Sequence, residues 1–151
     1  MKRRTIFALC LALAGFQASA ADERATREEA VAFVNKAVAY VKANDKAKAL
    51  AEFNDPKGQF VVKELYVVAV DLQGNVLANG VNRKIVGKNL LQIKDVDGRS
   101  FVREQIEIAT TKGSGWMEFR WNNPVTNKME QRQFYLVRNE DYFVGSGIFK
   151  P

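Results

Sequence analysis

The sequence predicts an α+β domain, and three observations carry that expectation. Apolar residues recur at helical spacing over the first third of the chain after residue 25, then switch to a period of two. The segments follow in the order long helix, two strands, helix, three strands. Short, turn-rich connections join the last three strands, which makes them antiparallel neighbours and puts about five strands in one sheet.

From Thr26 to Phe53 the apolar positions Val31, Val34, Val38 and Val41 form one stripe, widened by Phe33 and Ala37. Glu28 and Glu29 sit where the helix dipole favours negative charge. Asn44 and Asp45 loosen this helix or cap a second section carrying Leu50 and Phe53. Asn54-Asp55-Pro56-Lys57-Gly58 ends it. Phe60 to Val70 then reads as a β-branched and aromatic strand, turned at Asp71-Leu72-Gln73-Gly74-Asn75 into Val76 to Asn79. A loop from Gly80 to Asp97 precedes a second helix, Gly98 to Thr111, inserted between strands 2 and 3. It carries Phe101, Val102, Gln105, Ile106 and Ala109 on one side, Asp95 or Asp97 as its N-cap and Gly113 as its C-terminal glycine. The last three strands are Gly115 to Trp121, Met129 to Arg138 and Tyr142 to Phe149.

Composition narrows the chemistry. The chain has 151 residues, enough for one domain, and 47% of them are hydrophobic and 11% aromatic, enough to fill a core. It contains no histidine. That excludes Ser-His-Asp and Cys-His catalysis, His-ligated zinc, axial His ligation of haem and any histidine pH switch. No metal site, cofactor or catalytic residue is expected, and the protein is expected not to be an enzyme. Acid/base work by a carboxylate pair, with Glu118 facing Glu130 across neighbouring strands, is the residual enzymatic option.

Residues 1–20 read as a secretory signal peptide. Lys2, Arg3 and Arg4 precede an apolar run from Ile6 through Phe16, and Ala18-Ser19-Ala20 offers a small-x-small cleavage site. As a helix the run would span roughly 17 Å, short of the about 30 Å needed to cross a bilayer. The Arg3-Arg4 pair lacks the preceding Ser or Thr of a twin-arginine signal, and Leu9 is too bulky for a lipobox at Cys10. Cleavage would remove three of 23 basic residues and none of the 17 acidic ones, lowering the net charge from +6 to +3. No run of five or more Lys and Arg remains, so nucleic acid is not an expected partner. The mature chain, 21–151, would hold no cysteine, no disulfide and no membrane span.

Two glycine and acid motifs have plain explanations. Asp95-Val96-Asp97-Gly98 lacks the Gly and Glu that a calcium-binding EF-hand loop needs at its sixth and twelfth positions, where Ser100 and Ile106 stand. Gly145-Ser146-Gly147 lacks the third glycine of a dinucleotide loop and suits close packing on a strand. More informative is Trp116-Met117-Glu118-Phe119-Arg120-Trp121. Alternation puts Met117, Phe119 and Trp121 on one face and Trp116, Glu118 and Arg120 on the other. In the next strand Arg132 and Phe134 share a face, and Tyr135 points oppositely unless a bulge intervenes. Aromatics beside a lone guanidinium suit a carboxylate pocket, because rings exclude water and Arg offers a bidentate fork.

From Phe53 to Phe149 the sequence resembles a small single Cache domain. The resemblance rests on Asp71-x-x-Gly74, Leu77-Ala78-Asn79-Gly80, Val86-Gly87-Lys88-Asn89, Trp116-x-x-Phe119-x-Trp121-x-Asn123-Pro124 and Val144-Gly145-Ser146-Gly147, in that order. It implies a PAS-like extracytoplasmic sensor with a long N-terminal helix packed on a central antiparallel sheet. It also implies a small-molecule ligand, often a short organic acid, and a membrane-bound signalling partner. The chain departs from that pattern in stopping at Pro151, so a stand-alone exported version is expected, and in carrying Asn79 and Phe119 where the family more often has His and Tyr, which lowers polarity at possible pocket positions. Carried onto this sequence, the resemblance implies a ligand site made of Arg132, Trp121, Phe119, Tyr135, Tyr66 and Phe101. Arg132 would anchor a carboxylate, Trp121 and Phe119 would wall it, and Tyr135 would hydrogen-bond it, with Arg120 as the rival anchor. The expected protein is therefore a non-catalytic sensing domain, periplasmic or secreted, monomeric or weakly dimeric. The alternative is a structural or protein-interaction module of the cell envelope with no small-molecule ligand.

Overall fold

The computed structural model describes residues 24–150, so the expected signal peptide lies outside the described residues. A capping box starts helix α1 (Arg27–Ala43): Glu29 N donates to Thr26 Oγ1 at 3.1 Å, and Thr26 N donates to the Glu29 side chain at 2.7 Å. Of the two alternatives at Asn44-Asp45, the capped second section is the one that forms. Asn44 leaves the helical region, and Asp45 accepts from Lys48 N at 2.8 Å as the N-cap of α2 (Lys46–Phe53). The buried stripe of α1 is Ala30, Phe33, Val34, Ala37 and Val41, with Val31 and Val38 only half-buried at its margin. The inward side thus keeps two of the four valines, Val34 and Val41, and adds Ala30, Phe33 and Ala37.

The expected strand from Phe60 to Val70 is also divided. Lys63 has a φ of +55°, which folds Val61–Val62 (β1) and Leu65–Tyr66 (β2) into a small hairpin. Glu64 is buried there and accepts from Ala25 N at 3.1 Å, tying the start of the described chain to this turn. The chain then enters the main sheet as β3 (Val68–Asp71), followed by β4 (Val76–Asn79). The Asp71 carboxylate accepts from the backbone of Gln73 and Asn75, and Gly74, at φ +91°, lies where a Cβ would press on Leu91. Only glycine fits that turn.

After the segment 80–100, helix α3 (Phe101–Thr111) leads into β5 (Ser114–Asn122), β6 (Met129–Asn139) and β7 (Tyr142–Lys150). Gly113 follows the α3 C-cap at φ +77°, as its position in sequence indicates. The N-cap expectation fails: Ser100 occupies that place without a side-chain bond. Asp95 instead accepts from the backbone of Asp97, Arg99 and, across the fold, Arg120 at 2.9 Å.

The five main strands lie in the order β4-β3-β7-β6-β5, all antiparallel. Helix α1 packs on β7 and β6 from one side, and α3 packs on β5 and β6. Two apolar clusters result, one between sheet and α1–α2, the other between sheet and α3. Ala69, Tyr142, Val144 and Ile148 face the first; Val70, Phe134, Leu136 and Phe143 face the second. Successive residues of one strand thus serve opposite layers, as pleating requires. Among the described residues no helix is long and apolar enough to cross a membrane, and no cluster of three potential metal ligands occurs.

Candidate functional site

The second layer contains a cavity of about 30 Å3, bounded by the sheet, α3 and the segment 80–100. That is room for about two waters. Valines from β3 and β4 floor it, and Ile85 and Leu90 approach from the segment above. Strand alternation delivers the rest. The uninterrupted β5–β6 register sets Phe119 opposite Arg132 and Met117 opposite Phe134. Phe101, at the first turn of α3, stacks on Phe119 with ring centroids 4.5 Å apart and planes 3° from parallel, and meets Trp121 edge-on at 5.3 Å.

Arg132 is 2% exposed. Its guanidinium carbon lies 4.4 Å from the Tyr66 ring centroid, 4.9 Å from Phe134 and 5.2 Å from Phe149. These rings offer electron-rich faces but no anion. Nε and Nη2 have no hydrogen-bond partner among the described residues. Burial pushes the Arg132 guanidinium below its ordinary pKa, with Tyr66 opposing, yet an arginine remains protonated in proteins. Burial also raises the Tyr66 hydroxyl, against the opposing pulls of Arg132 and Trp121, so Tyr66 is a neutral phenol and not a counter-ion. A charge in an apolar cavity without a partner is costly. The arrangement can therefore accept an anion from outside the chain.

Of the six residues expected at a site, Phe101, Phe119, Trp121 and Arg132 line this cavity. Tyr66 stands behind Arg132, 1% exposed, as its stacking surface rather than as a wall. Tyr135 is on the opposite face, tilted against Trp116 at 5.3 Å, because no bulge interrupts β6 and alternation holds throughout. Arg120 is also on that face, half-buried, with its Nε 3.6 Å from Asp97, so register leaves Arg132 and not Arg120 in the cavity lining. The Glu118–Glu130 pair does not form. Glu118 lies opposite Gln133 and accepts from Gln131 and Gln133, whereas Glu130 lies opposite Trp121 and accepts from Arg24, Asn123 and Thr126.

Two polar lining residues were outside the expected set, Asn79 and Gln105. Gln105 gave a signal in the sequence: an amide within the otherwise apolar stripe of α3. Asn79 is absent from the six, but the resemblance marks it as a possible pocket position, and the fold sets it in one lining with Arg132, 53 positions later. Gly145 belongs to the site indirectly. A Cβ there would collide with the Phe134 ring, so the bare backbone of β7 leaves the room that this lining residue occupies.

The family model described as single Cache domain 2 matches residues 10–149. Among solved structures, the chain is similar to a methyl-accepting chemotaxis protein from Vibrio parahaemolyticus RIMD 2210633, with 26% identity and a TM-score of 0.69 over 82% of this chain and 87% of that one. It is also similar, with 21% identity and a TM-score of 0.70 over 82% and 92%, to a Cache chemosensory domain solved for the structural basis of its carboxylic acid recognition. A periplasmic sensor domain of a chemotaxis protein shares 18% identity and a TM-score of 0.64 over 82% and 90%. No curated protein sequence matches the chain.

Proposed function

The chain belongs to the single Cache domain 2 family, and from that premise we propose that it is a non-catalytic extracytoplasmic sensing domain whose ligand is a small carboxylic acid held by Arg132. Cache domains are sensory, ligand-binding modules of chemoreceptors. The likeness to solved Cache domains carries the fold, and one observation carries the ligand class: a buried guanidinium, unpaired at Nε and Nη2, lines an aromatic cavity. A carboxylate supplies the missing charge and a planar pair of acceptors for two N–H donors. Phe101, Phe119 and Trp121 keep water from competing for that bond. The cavity's 30 Å3 favours acids of very few heavy atoms.

In this reading residues 1–20 direct export and residues 21–151 form the sensor, periplasmic or secreted. A membrane-bound partner reads its occupancy, which requires that the partner distinguish the filled from the empty form. The test is thermal unfolding of the protein with acetate, propionate, butyrate and C3–C4 dicarboxylates. At a ligand concentration 100 times Kd, stabilisation is expected to be about 2.7 kcal/mol, a rise of several degrees. Arg132→Ala is expected to abolish the rise. No rise with any acid would remove the reading and favour the interaction module, whose visible feature is the half-buried Trp116 with Arg27 stacked 3.8 Å above its ring.

A further inference from the structure

Asn79 has a locked orientation that the carboxylate reading alone does not require. It ends β4, is 2% exposed and lines the cavity with Arg132. Its Oδ1 accepts from Val81 N at 3.1 Å and from Asn82 N at 2.8 Å. Turning the amide over would set its NH2 against two backbone donors, so the oxygen is committed to the turn and the group left for the cavity is the donor Nδ2. The lining contains no Asp or Glu. Gln105 adds one neutral amide, and a single neutral carbonyl does not offset a buried ammonium.

The polar wall is therefore built for oxygen acceptors. An α-amino acid would bring its ammonium into a cavity that already holds the Arg132 cation and offers no carboxylate in return. Like charges in a dry site repel, and the ammonium would be desolvated without a partner. We infer, resting on the carboxylate reading of this site, that Asn79 is a specificity-determining residue. Its donor-only presentation makes the cavity take carboxylic acids with hydrogen or oxygen at the neighbouring carbon and reject α-amino acids of the same size.

Pairs matched in heavy atoms test this by calorimetric titration: propionate with glycine, 2-methylpropanoate with alanine, 2-methylbutanoate with 2-aminobutyrate. In the pair that binds, the amino acid is expected to be weaker by tenfold or more. Asn79→Asp keeps the size of the side chain and an oxygen for Val81 N–H and Asn82 N–H, but turns a carboxylate oxygen to the cavity. Its affinity for the plain acid is expected to fall at least tenfold, with the ratio of the two ligands shifting at least tenfold toward the amino acid. An amino acid binding within tenfold of its plain acid in the native protein overturns the selectivity and leaves the carboxylate reading standing. A folded Asn79→Asp protein with an unchanged ratio overturns the role of Asn79. Failure of every plain acid to bind removes the carboxylate reading, and this inference with it.

Discussion

At Arg132, the proposed carboxylate binding and the stability of the fold oppose each other. Without a ligand the guanidinium is a buried cation whose Nε and Nη2 have no partner among the described residues. Three aromatic faces offset part of that cost. Replacing buried ionic groups by apolar side chains of similar volume is commonly neutral or stabilising. Arg132→Met is therefore expected to unfold, ligand-free, at the same temperature as the parent or higher, by up to about 3 kcal/mol. The same variant is expected to gain nothing from carboxylates. A clear loss of ligand-free stability would mean that the stacking on Tyr66, Phe134 and Phe149 outweighs desolvation. Gly145 makes the opposite case, a residue whose lack of a side chain the site depends on. Gly145→Ala drives a methyl into Phe134 and towards the Tyr135 carbonyl oxygen. It is expected to cost about 2–3 kcal/mol in denaturant unfolding, as overpacking of a rigid centre does.

Among the elements, the segment 80–100 decides how the cavity is closed. It carries Ile85 and Leu90 over the pocket and is tied down at its far end by Asp95. Burial pushes the Asp95 carboxyl up, but the N–H groups of Arg120, Arg99 and Asp97 outweigh it and hold the group below its ordinary range. Arg99 adds a bond from its guanidinium to the Glu118 carbonyl. Both contacts cover outward-facing backbone groups of β5, the edge strand, which would otherwise invite another strand to pair. Asp95→Ala is expected to cost about 1–2 kcal/mol. The local sign is faster amide hydrogen exchange at Arg120, with protection in α1 unchanged.

Over the whole molecule, charge makes stability depend on acid but not on neutral pH. Glu118 is held below its ordinary range by the Gln133 side chain, with burial opposing and Gln131 assisting. Glu130 is pushed up by burial, yet Asn123, Arg24 and Thr126 bring it below that range. Asp95 is lowered as described. A carboxyl lowered on folding contributes stability that is fully present above its unfolded pKa, and that contribution is lost as pH falls through the folded value. With no histidine in the chain, the melting temperature is expected to stay nearly flat between pH 6 and 8. It is expected to fall once pH drops below about 4.5, where unfolded carboxyls take up protons. A step near pH 6.5 in thermal unfolding would contradict this.

How much was legible follows the range of the interactions. Helix and strand types were plain because hydrophobic period is local. The α+β class and the antiparallel last three strands came from short connections, and the aromatic face of β5 from alternation. The breaks at Asn44–Asp45 and Lys63 were half-visible or hidden. Asp45 announces a cap in its own sequence, whereas Lys63 takes a left-handed turn beside Glu64, which Ala25 holds from 39 residues away. Composition and local pattern were enough for the α+β class, the chemistry excluded by the absent histidine, the family resemblance and the aromatic-plus-arginine character of the candidate site. Long-range packing was needed to put Arg132 rather than Arg120 in the cavity lining, to turn Tyr135 away, and to bring Asn79 and Gln105 into the lining. A strand's two faces are equivalent until something packs on one of them. The placement of α1 on one side of the sheet and α3 on the other turned a local alternation into an inside and an outside.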